Sequence, residues 1–234
     1  MALPTISSPK YTLQIPSTKK TVEYRPFLVK EEKILLIAQE SGDNSQIIKA
    51  MKDVVSECTF SKVNVDSLTS FDLEYIFIKL RTKSVGENSN INIKCDKCSE
   101  PNEYAINLDE IEVDFSGTEN SRIMITDTVG VNMKYVSVAD MEILSNVQDN
   151  KGDLILNTVI ASIDSIFDSE KIYPTSESTT VELETFINSL NRTQMAKIEK
   201  FIATIPKLQH TASFKCSSCK CENSTVISGA QSFF

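Results

Sequence analysis

The sequence lacks the residues and motifs on which most catalytic sites depend. Of its 234 residues only one is histidine, none is tryptophan and six are glycine. It contains no glycine-rich phosphate loop, no H-E-x-x-H motif and no G-x-S-x-G motif. The lone histidine, His210, has no recognisable serine or cysteine nucleophile motif to act with, which disfavours the usual acid–base chemistry. We therefore expect the protein not to be an enzyme and to have no small-molecule substrate.

Long hydrophobic runs and an excess of positive charge are also lacking. No apolar run approaches the roughly 20 residues that span a bilayer, and the first residues show no secretion-signal pattern. The formal charge of −8 disfavours a protein that wraps nucleic acid, because phosphates require a basic surface. Two small basic spots remain, and we interpret them as solvated helix ends rather than a docking site for an acidic partner. They comprise Arg25, Lys79, Arg81 and Lys83.

Cysteine, by contrast, occurs in a motif that is present twice. The segments "KCDKCSEPNEYAI", from Lys94, and "KCSSCKCENSTVI", from Lys215, both begin with Lys-Cys-x-x-Cys. Both also carry an asparagine four residues after the second cysteine, at Asn102 and Asn223. A C-x-x-C turn directs two thiolates to one point, which supplies half of a tetrahedral zinc site. We predict that both turns together bind one structural Zn²⁺ through Cys95, Cys98, Cys216 and Cys219.

Other interpretations of these cysteines stay open. The pairs could be redox-active, although such a motif normally opens a helix and each pair here follows a strand-like segment. They could bind zinc between two chains, or hold no metal. Cys221 could replace Cys219 as a ligand, but we interpret it as a spare thiol and Cys58 as a core residue. His210 is either an ordinary hydrogen-bonded histidine or an outer partner of a zinc-bound sulfur.

The order of predicted elements also occurs twice along the chain. In the first half, a β-hairpin ends at Pro26, a helix ends at Gly42, and two more helices lead to the first C-x-x-C turn. The second half repeats this order, with the segment 154–167 as the counterpart of the second helix and two helices in place of the third. Equivalent hairpin positions are Ile15 and Ile125, and Tyr24 and Tyr135.

This order predicts an α+β fold made of two similar repeats. Each repeat consists of a β-hairpin followed by helices and ends in a C-x-x-C zinc knuckle. The two knuckles are expected to join as a zinc-ribbon-like pair. The predicted repeats span residues 1–115 and 116–234, and they form either two domains or one compact pseudo-symmetric unit.

Three sequence blocks in the N-terminal half carry a family resemblance. "IPSTKKTVEYRPFLVKEEKILLIAQES" begins at Ile15, "FDLEYIFIKLRTKSVGE" begins at Phe71, and "CDKC" follows. The first block contains Arg-Pro-Phe from position 25 and Lys-Glu-Glu-Lys from position 30. In this order and spacing, the blocks resemble the baseplate hub assembly proteins of T-even-type bacteriophages. The C-terminal half is compatible with the family but more divergent.

The resemblance implies a late viral protein that helps to build the central hub of the contractile-tail baseplate. Its partners would be other tail and hub proteins, and it would have no enzymatic activity. The expected location is the host cytoplasm during assembly, or the baseplate of the virion. An alternative of another class is a viral zinc-ribbon protein that binds nucleic acid or regulates transcription, because lysines flank both knuckles.

Overall fold

The structure is a computed structural model that describes residues 7–146 and 151–229. Its described part contains seven α-helices and eleven strands, so the α+β class is confirmed. The strands and helices occur in this order: β1 (Tyr11–Gln14), β2 (Thr21–Tyr24), α1 (Val29–Ser41), α2 (Asn44–Cys58), α3 (Ser70–Ser84), β3 (Asn88–Lys94), β4 (Pro101–Asn107), β5 (Glu112–Asp114), β6 (Arg122–Met124), β7 (Gly130–Met133), α4 (Val138–Asn146), α5 (Lys151–Ala161), β8 (Ile163–Phe167), β9 (Ile172–Pro174), α6 (Thr180–Asn188), α7 (Arg192–Ala203), β10 (Lys207–Lys215) and β11 (Glu222–Ser228).

The described residues form two compact units that alternate along the chain. The first unit comprises the residues up to Asp114 together with those from Lys207 onward, and the second comprises residues 115–206. The first unit is discontinuous because β10 pairs with β5, with Lys207 opposite Asp114. These units divide the chain differently from the predicted repeats, since β10 and β11 belong with the N-terminal elements. The duplication of the sequence stays a prediction.

The first unit is built around helix α3. Thr69 accepts a hydrogen bond from the Asp72 N–H at 3.2 Å, which is the side-chain cap expected where a helix begins. The buried residues Ile76, Ile78 and Leu80 are fully inaccessible to solvent, and α3 contacts α2, β5 and β10. The unit also contains three small antiparallel sheets, ordered β1-β2, β3-β4 and β11-β10-β5.

A buried aspartate connects α3 to the first hairpin. The Asp72 carboxylate is 1% exposed and accepts hydrogen bonds from Ser17 N at 3.0 Å and from Ser17 Oγ. It also accepts from Thr69 Oγ1 at 2.7 Å. A buried carboxylate is costly unless hydrogen bonds satisfy it, and these three fix the loop between β1 and β2 against the helix start.

The second unit packs three helices against one four-stranded sheet. The strand order is β6-β7-β8-β9, and every neighbouring pair is antiparallel. Its core draws on the sheet, on α5 and on both helices of the α6–α7 pair. The core residues are Ile125, Val131, Met133, Val159, Ile163, Ile187, Ile198 and Phe201. This unit therefore has a hydrophobic core of its own.

Most predicted elements are present, with one correction. The first hairpin, the helix that Gly42 ends and the two helices before the first knuckle occur where they were expected, and Gly42 has the positive φ of 65° typical of a helix end. The prediction of one helix over 154–167 is wrong, because α5 ends at Ala161 and β8 follows at once. Burial alternates along β8 as it does in a strand, with Ile163, Ser165 and Phe167 buried and Asp164 exposed.

Among the described residues, no helix is both long enough and apolar enough to cross a membrane.

Candidate metal centre

The two C-x-x-C motifs form turns of the same kind at the tips of two hairpins. We call the segment Cys95–Cys98, between β3 and β4, the first knuckle, and Cys216–Cys219, between β10 and β11, the second knuckle. In each, the N–H of the first cysteine donates across the hairpin, to Glu100 O at 2.9 Å or to Cys221 O at 2.8 Å. The tight turn needs one residue with positive φ after the second cysteine, and that residue lies at φ 60° in both knuckles.

The fold of the first unit brings the two knuckles together. Cys95 Sγ lies 3.6 Å from Cys219 Sγ, and Cys98 Sγ lies 3.6 Å from Cys216 Sγ. All four sulfur atoms lie within 4.8 Å of one another. Because Zn–S bonds are about 2.3 Å long, a tetrahedral zinc ion would separate its sulfurs by about 3.8 Å. The sulfur positions fit such an ion.

Backbone N–H groups around the sulfurs favour thiolates. In the second knuckle the N–H of Cys219, followed by that of Ser218, donates to Cys216 Sγ and lowers the pKa of this thiol to about 6. In the first knuckle the N–H of Cys98 has the same effect and lowers the pKa of Cys95. At Cys98 the N–H of Glu100 acts in the same direction, but the neighbouring sulfurs, first that of Cys219, together with burial raise its pKa to about 12. Without a metal the four thiols therefore do not all ionise together, and a soft cation that binds thiolates would supply the missing positive charge.

Two asparagines complete the surroundings of the sulfurs. Asn102 Oδ1 accepts from Ser217 N at 2.7 Å, and Asn223 Oδ1 accepts from Asp96 N at 3.0 Å. The sequence showed both asparagines at equivalent positions but gave them no role. Their common spacing from the cysteines was the signal, and only the three-dimensional arrangement shows that each reaches the opposite knuckle.

The sequence also singled out His210 and Cys58, and neither belongs to the group of four cysteines. His210 Nε2 lies 3.3 Å from Tyr104 Oη, as expected of an ordinary hydrogen-bonded histidine. The predicted core residue Cys58 is fully buried, and burial raises the pKa of its thiol to about 11.

Cys221 Sγ donates to Glu222 O at 3.3 Å and is not one of the four clustered sulfurs. Lys220 Nζ donates to Ser217 O at 2.7 Å, within the second knuckle.

The two basic spots contain cations that are paired with acids. Arg25 Nη2 lies 2.9 Å from Glu31 Oε1. Lys83 Nζ lies 3.1 Å from Asp109 Oδ2, and Lys79 Nζ lies 3.7 Å from Asp109 Oδ1. Cations already paired with carboxylates are poorly available to an acidic partner. The interpretation as solvated helix ends is also wrong for two of them, because the side chains of Arg25 and Lys79 are only 13% and 12% exposed.

The four thiolates could hold Zn²⁺ and would surround it completely. Four sulfur ligands leave a tetrahedral ion no open position for water or substrate, which is typical of structural zinc. Such an ion would connect β3–β4 to β10–β11, two hairpins that are far apart in the sequence. Its chemical contribution would be stability rather than catalysis.

Comparisons with known proteins point to a viral structure. The family model described as T4 bacteriophage base plate protein matches residues 8–234, which include both knuckles and both compact units. The comparison with curated proteins gives no match, and the comparison with solved structures gives none. Because the match covers nearly the whole sequence, the chain belongs to the family of T4 bacteriophage base plate proteins.

Proposed function

We propose that this base plate protein helps to assemble the central hub of the contractile-tail baseplate by binding other hub proteins, without catalysis. The observation that carries the proposal is the family match over residues 8–234. The resemblance of the N-terminal blocks to hub assembly proteins supports the hub rather than another part of the baseplate. The protein would act in the host cytoplasm during assembly and would be retained in the tail if its contacts are permanent.

An exposed apolar surface on α1 supports binding to protein partners. Val29, Leu36 and Ile37 are 80%, 53% and 57% exposed. Their spacing of seven and eight residues places them on one face of the helix, opposite the buried Glu31 and Ala38. We call these three residues the α1 surface. Adjacent exposed apolar side chains on a folded protein mark interaction sites more often than isolated ones do.

The partner of the α1 surface is proposed to be another protein of the same baseplate. Membership of a base plate family means that the protein functions beside other subunits. An apolar helix face is the kind of surface that a partner helix or groove covers. Lys33 lies on the same face, between Val29 and the pair Leu36 and Ile37, and Glu40 lies one turn beyond them, so a partner would have to offer charges that pair with both.

A metal in the knuckles would serve this function indirectly. Zn²⁺ bound by Cys95, Cys98, Cys216 and Cys219 would close the discontinuous first unit, which carries the α1 surface. Structural zinc sites contribute on the order of 10 kcal/mol of apparent folding free energy. The metal centre is therefore proposed to keep the binding surface folded and not to contact the partner.

The proposal predicts that charge on the α1 surface prevents assembly. In cells that express the phage hub proteins together, we expect wild-type protein to co-purify with at least one of them. Leu36→Lys with Ile37→Lys should reduce this recovery at least tenfold, because two buried cations would lack partners in the interface. The measurement is affinity purification followed by mass spectrometry of the recovered hub proteins.

Gln39→Lys is the matched control, because it adds a cation to the same helix at an exposed polar position. This variant should recover the partner as the wild type does. Circular dichroism of all variants checks that α1 is folded. If wild-type protein recovers no hub protein, the hub proposal is wrong. If Leu36→Lys with Ile37→Lys recovers as much partner as wild type, another surface makes the contact.

A further inference from the structure

Asn102 and Asn223 are buried polar side chains at equivalent places in the two hairpins. Each follows the second cysteine of its knuckle by four residues, and they are only 7% and 5% exposed. A buried amide is costly unless its oxygen and nitrogen both find hydrogen-bond partners. The structure supplies both kinds of partner to both asparagines.

Each asparagine side chain links its own hairpin to the opposite knuckle. The Oδ1 atoms accept from the backbone of the other knuckle, Asn102 from Ser217 N at 2.7 Å and Asn223 from Asp96 N at 3.0 Å. Ser217 and Asp96 both follow the first cysteine of their knuckles. The contacts are therefore reciprocal, and each joins backbone to side chain across more than a hundred residues of sequence.

The amide nitrogens hold the side chains in the orientation that these contacts need. Asn102 Nδ2 donates to Glu100 O at 2.8 Å, and Asn223 Nδ2 donates to Cys221 O at 3.0 Å. Asn102 Nδ2 also lies 3.7 Å from Cys216 Sγ, where its N–H stabilises a thiolate. Aspartate could accept the same bonds but could not donate them, and it would add negative charge beside four thiolates.

We propose that Asn102 and Asn223 are positioning residues for the metal centre, which hold the two knuckles together before a metal binds. Their four hydrogen bonds involve no sulfur–metal bond, so they can form in the metal-free protein. The four thiols are then already at coordination distance, and binding does not incur the entropic cost of bringing two remote hairpins together. This inference rests on the proposed metal centre.

The first test is the affinity for Zn²⁺, measured by competition with a chromophoric chelator at pH 7.5. Wild-type protein, Asn102→Ala, Asn223→Ala and Asn92→Ala are compared. Replacing either buried asparagine by alanine should lower the affinity for Zn²⁺ 10- to 100-fold, which is the usual effect of removing a residue that orients metal ligands. Asn92, an exposed asparagine on β3, is the matched control and should leave the affinity unchanged.

The second test uses metal-free protein and amide hydrogen exchange observed by NMR. The amides of Ser217 and Asp96 should be protected in the wild type without metal. Asn102→Ala should release the amide of Ser217, and Asn223→Ala should release that of Asp96. Protection of helix α3 in the first unit should stay the same, which shows that the unit carrying the substitutions is folded.

The outcomes separate this inference from the metal proposal. If the wild type binds no Zn²⁺, both are overturned. If the wild type binds Zn²⁺ and both alanine variants bind it equally well, only the positioning role is overturned. Fast exchange of Ser217 and Asp96 in metal-free wild-type protein would also overturn it, because the knuckles would then meet only around the metal.

Discussion

Glu31 is a buried carboxylate at the start of α1 that lies in the first block of family resemblance. It is 2% exposed and accepts hydrogen bonds from Arg25 Nη2 at 2.9 Å and from Leu28 N at 2.7 Å. Arg25 N in turn donates to Cys58 O at 3.0 Å, at the end of α2. Through Arg25 and Glu31, the Arg-Pro-Phe and Lys-Glu-Glu-Lys motifs therefore connect the end of the hairpin to the start of α1 and the end of α2.

We expect the contacts of Glu31 with Arg25 and Leu28 to stabilise the folded protein at neutral pH but not in acid. Burial alone would raise the pKa of Glu31, but the hydrogen bonds from Arg25 and Leu28 outweigh it and lower the pKa. A lowered pKa in the folded state stabilises the protein above the unfolded value of about 4.3, and the stabilisation is lost as pH falls through the folded pKa. Glu31→Gln should cost about 2 kcal/mol at pH 7 and progressively less below pH ~4.

Urea unfolding at pH 7, 5, 4 and 3 measures this difference, with chelator present so that metal binding does not contribute. Glu32→Gln is the control, since Glu32 is the exposed neighbour in the same helical turn. Its free energy of unfolding should follow that of wild type at each pH. A constant difference between Glu31→Gln and wild type from pH 7 down to pH 3 would contradict the argument.

At the scale of residues, the sequence was sufficient to predict which sulfurs lie together but not what surrounds them. The C-x-x-C spacing directs two thiols to one point locally. A tetrahedral site needs four ligands, so combining the two turns is the simplest way to complete it. The bonds from Asn102 to Ser217 and from Asn223 to Asp96 depend on how two remote hairpins meet. No local pattern encodes that distance, so the role of the asparagines could not be predicted.

At the scale of elements, hydrophobic period predicted the helices well where caps marked their ends. Thr69 and Gly42 are such markers, and the helices beside them begin and end as expected. The boundary between α5 and β8 has no glycine or proline, and its apolar residues suit either period. Pairing of β8 with β7 and β9 decides in favour of the strand, and that information is not local.

In the second unit, the ring of Phe167 lies so close to the backbone of β7 that position 130 has room only for glycine. Gly130 lies opposite Phe167 in the β7–β8 pair, and a Cβ atom at this position would meet the Phe167 ring and stand 2.8 Å from Ile123 O. Gly130→Ala should therefore destabilise the protein by roughly 1–3 kcal/mol through overpacking. Thermal or urea unfolding measures the change, with Gly117→Ala as the control because its Cβ would meet nothing within 4 Å. Equal stability of the two variants would contradict this interpretation.

At the scale of the whole molecule, the chain leaves the first compact unit and returns to it at paired residues. Asp114 ends β5, Lys207 begins β10, and the two lie opposite each other in an antiparallel ladder. Residues 115–206, with their own core, lie between these two points in the sequence. The first unit is thus complete without the second as far as strand pairing is concerned.

This arrangement predicts that residues 115–206 can be removed. Joining Asp114 to Lys207 through Asn-Gly would make a two-residue hairpin loop, for which that dipeptide is favoured. The shortened chain should fold and bind one Zn²⁺ per chain, because it retains both knuckles and both positioning asparagines. Native mass spectrometry gives the mass and the metal content together, and hydrogen exchange shows whether α3 remains protected.

A chain that ends at residue 115 is the informative comparison, because it corresponds to the first predicted repeat. It would keep the first knuckle but lose β10, whose Leu208 and Ala212 are fully buried. Removal of these side chains exposes the core beside α3 and deletes half of the thiolates, so this chain should neither fold stably nor hold Zn²⁺. If it folds as well as the shortened chain with both knuckles, the repeat rather than the discontinuous unit is the folding unit.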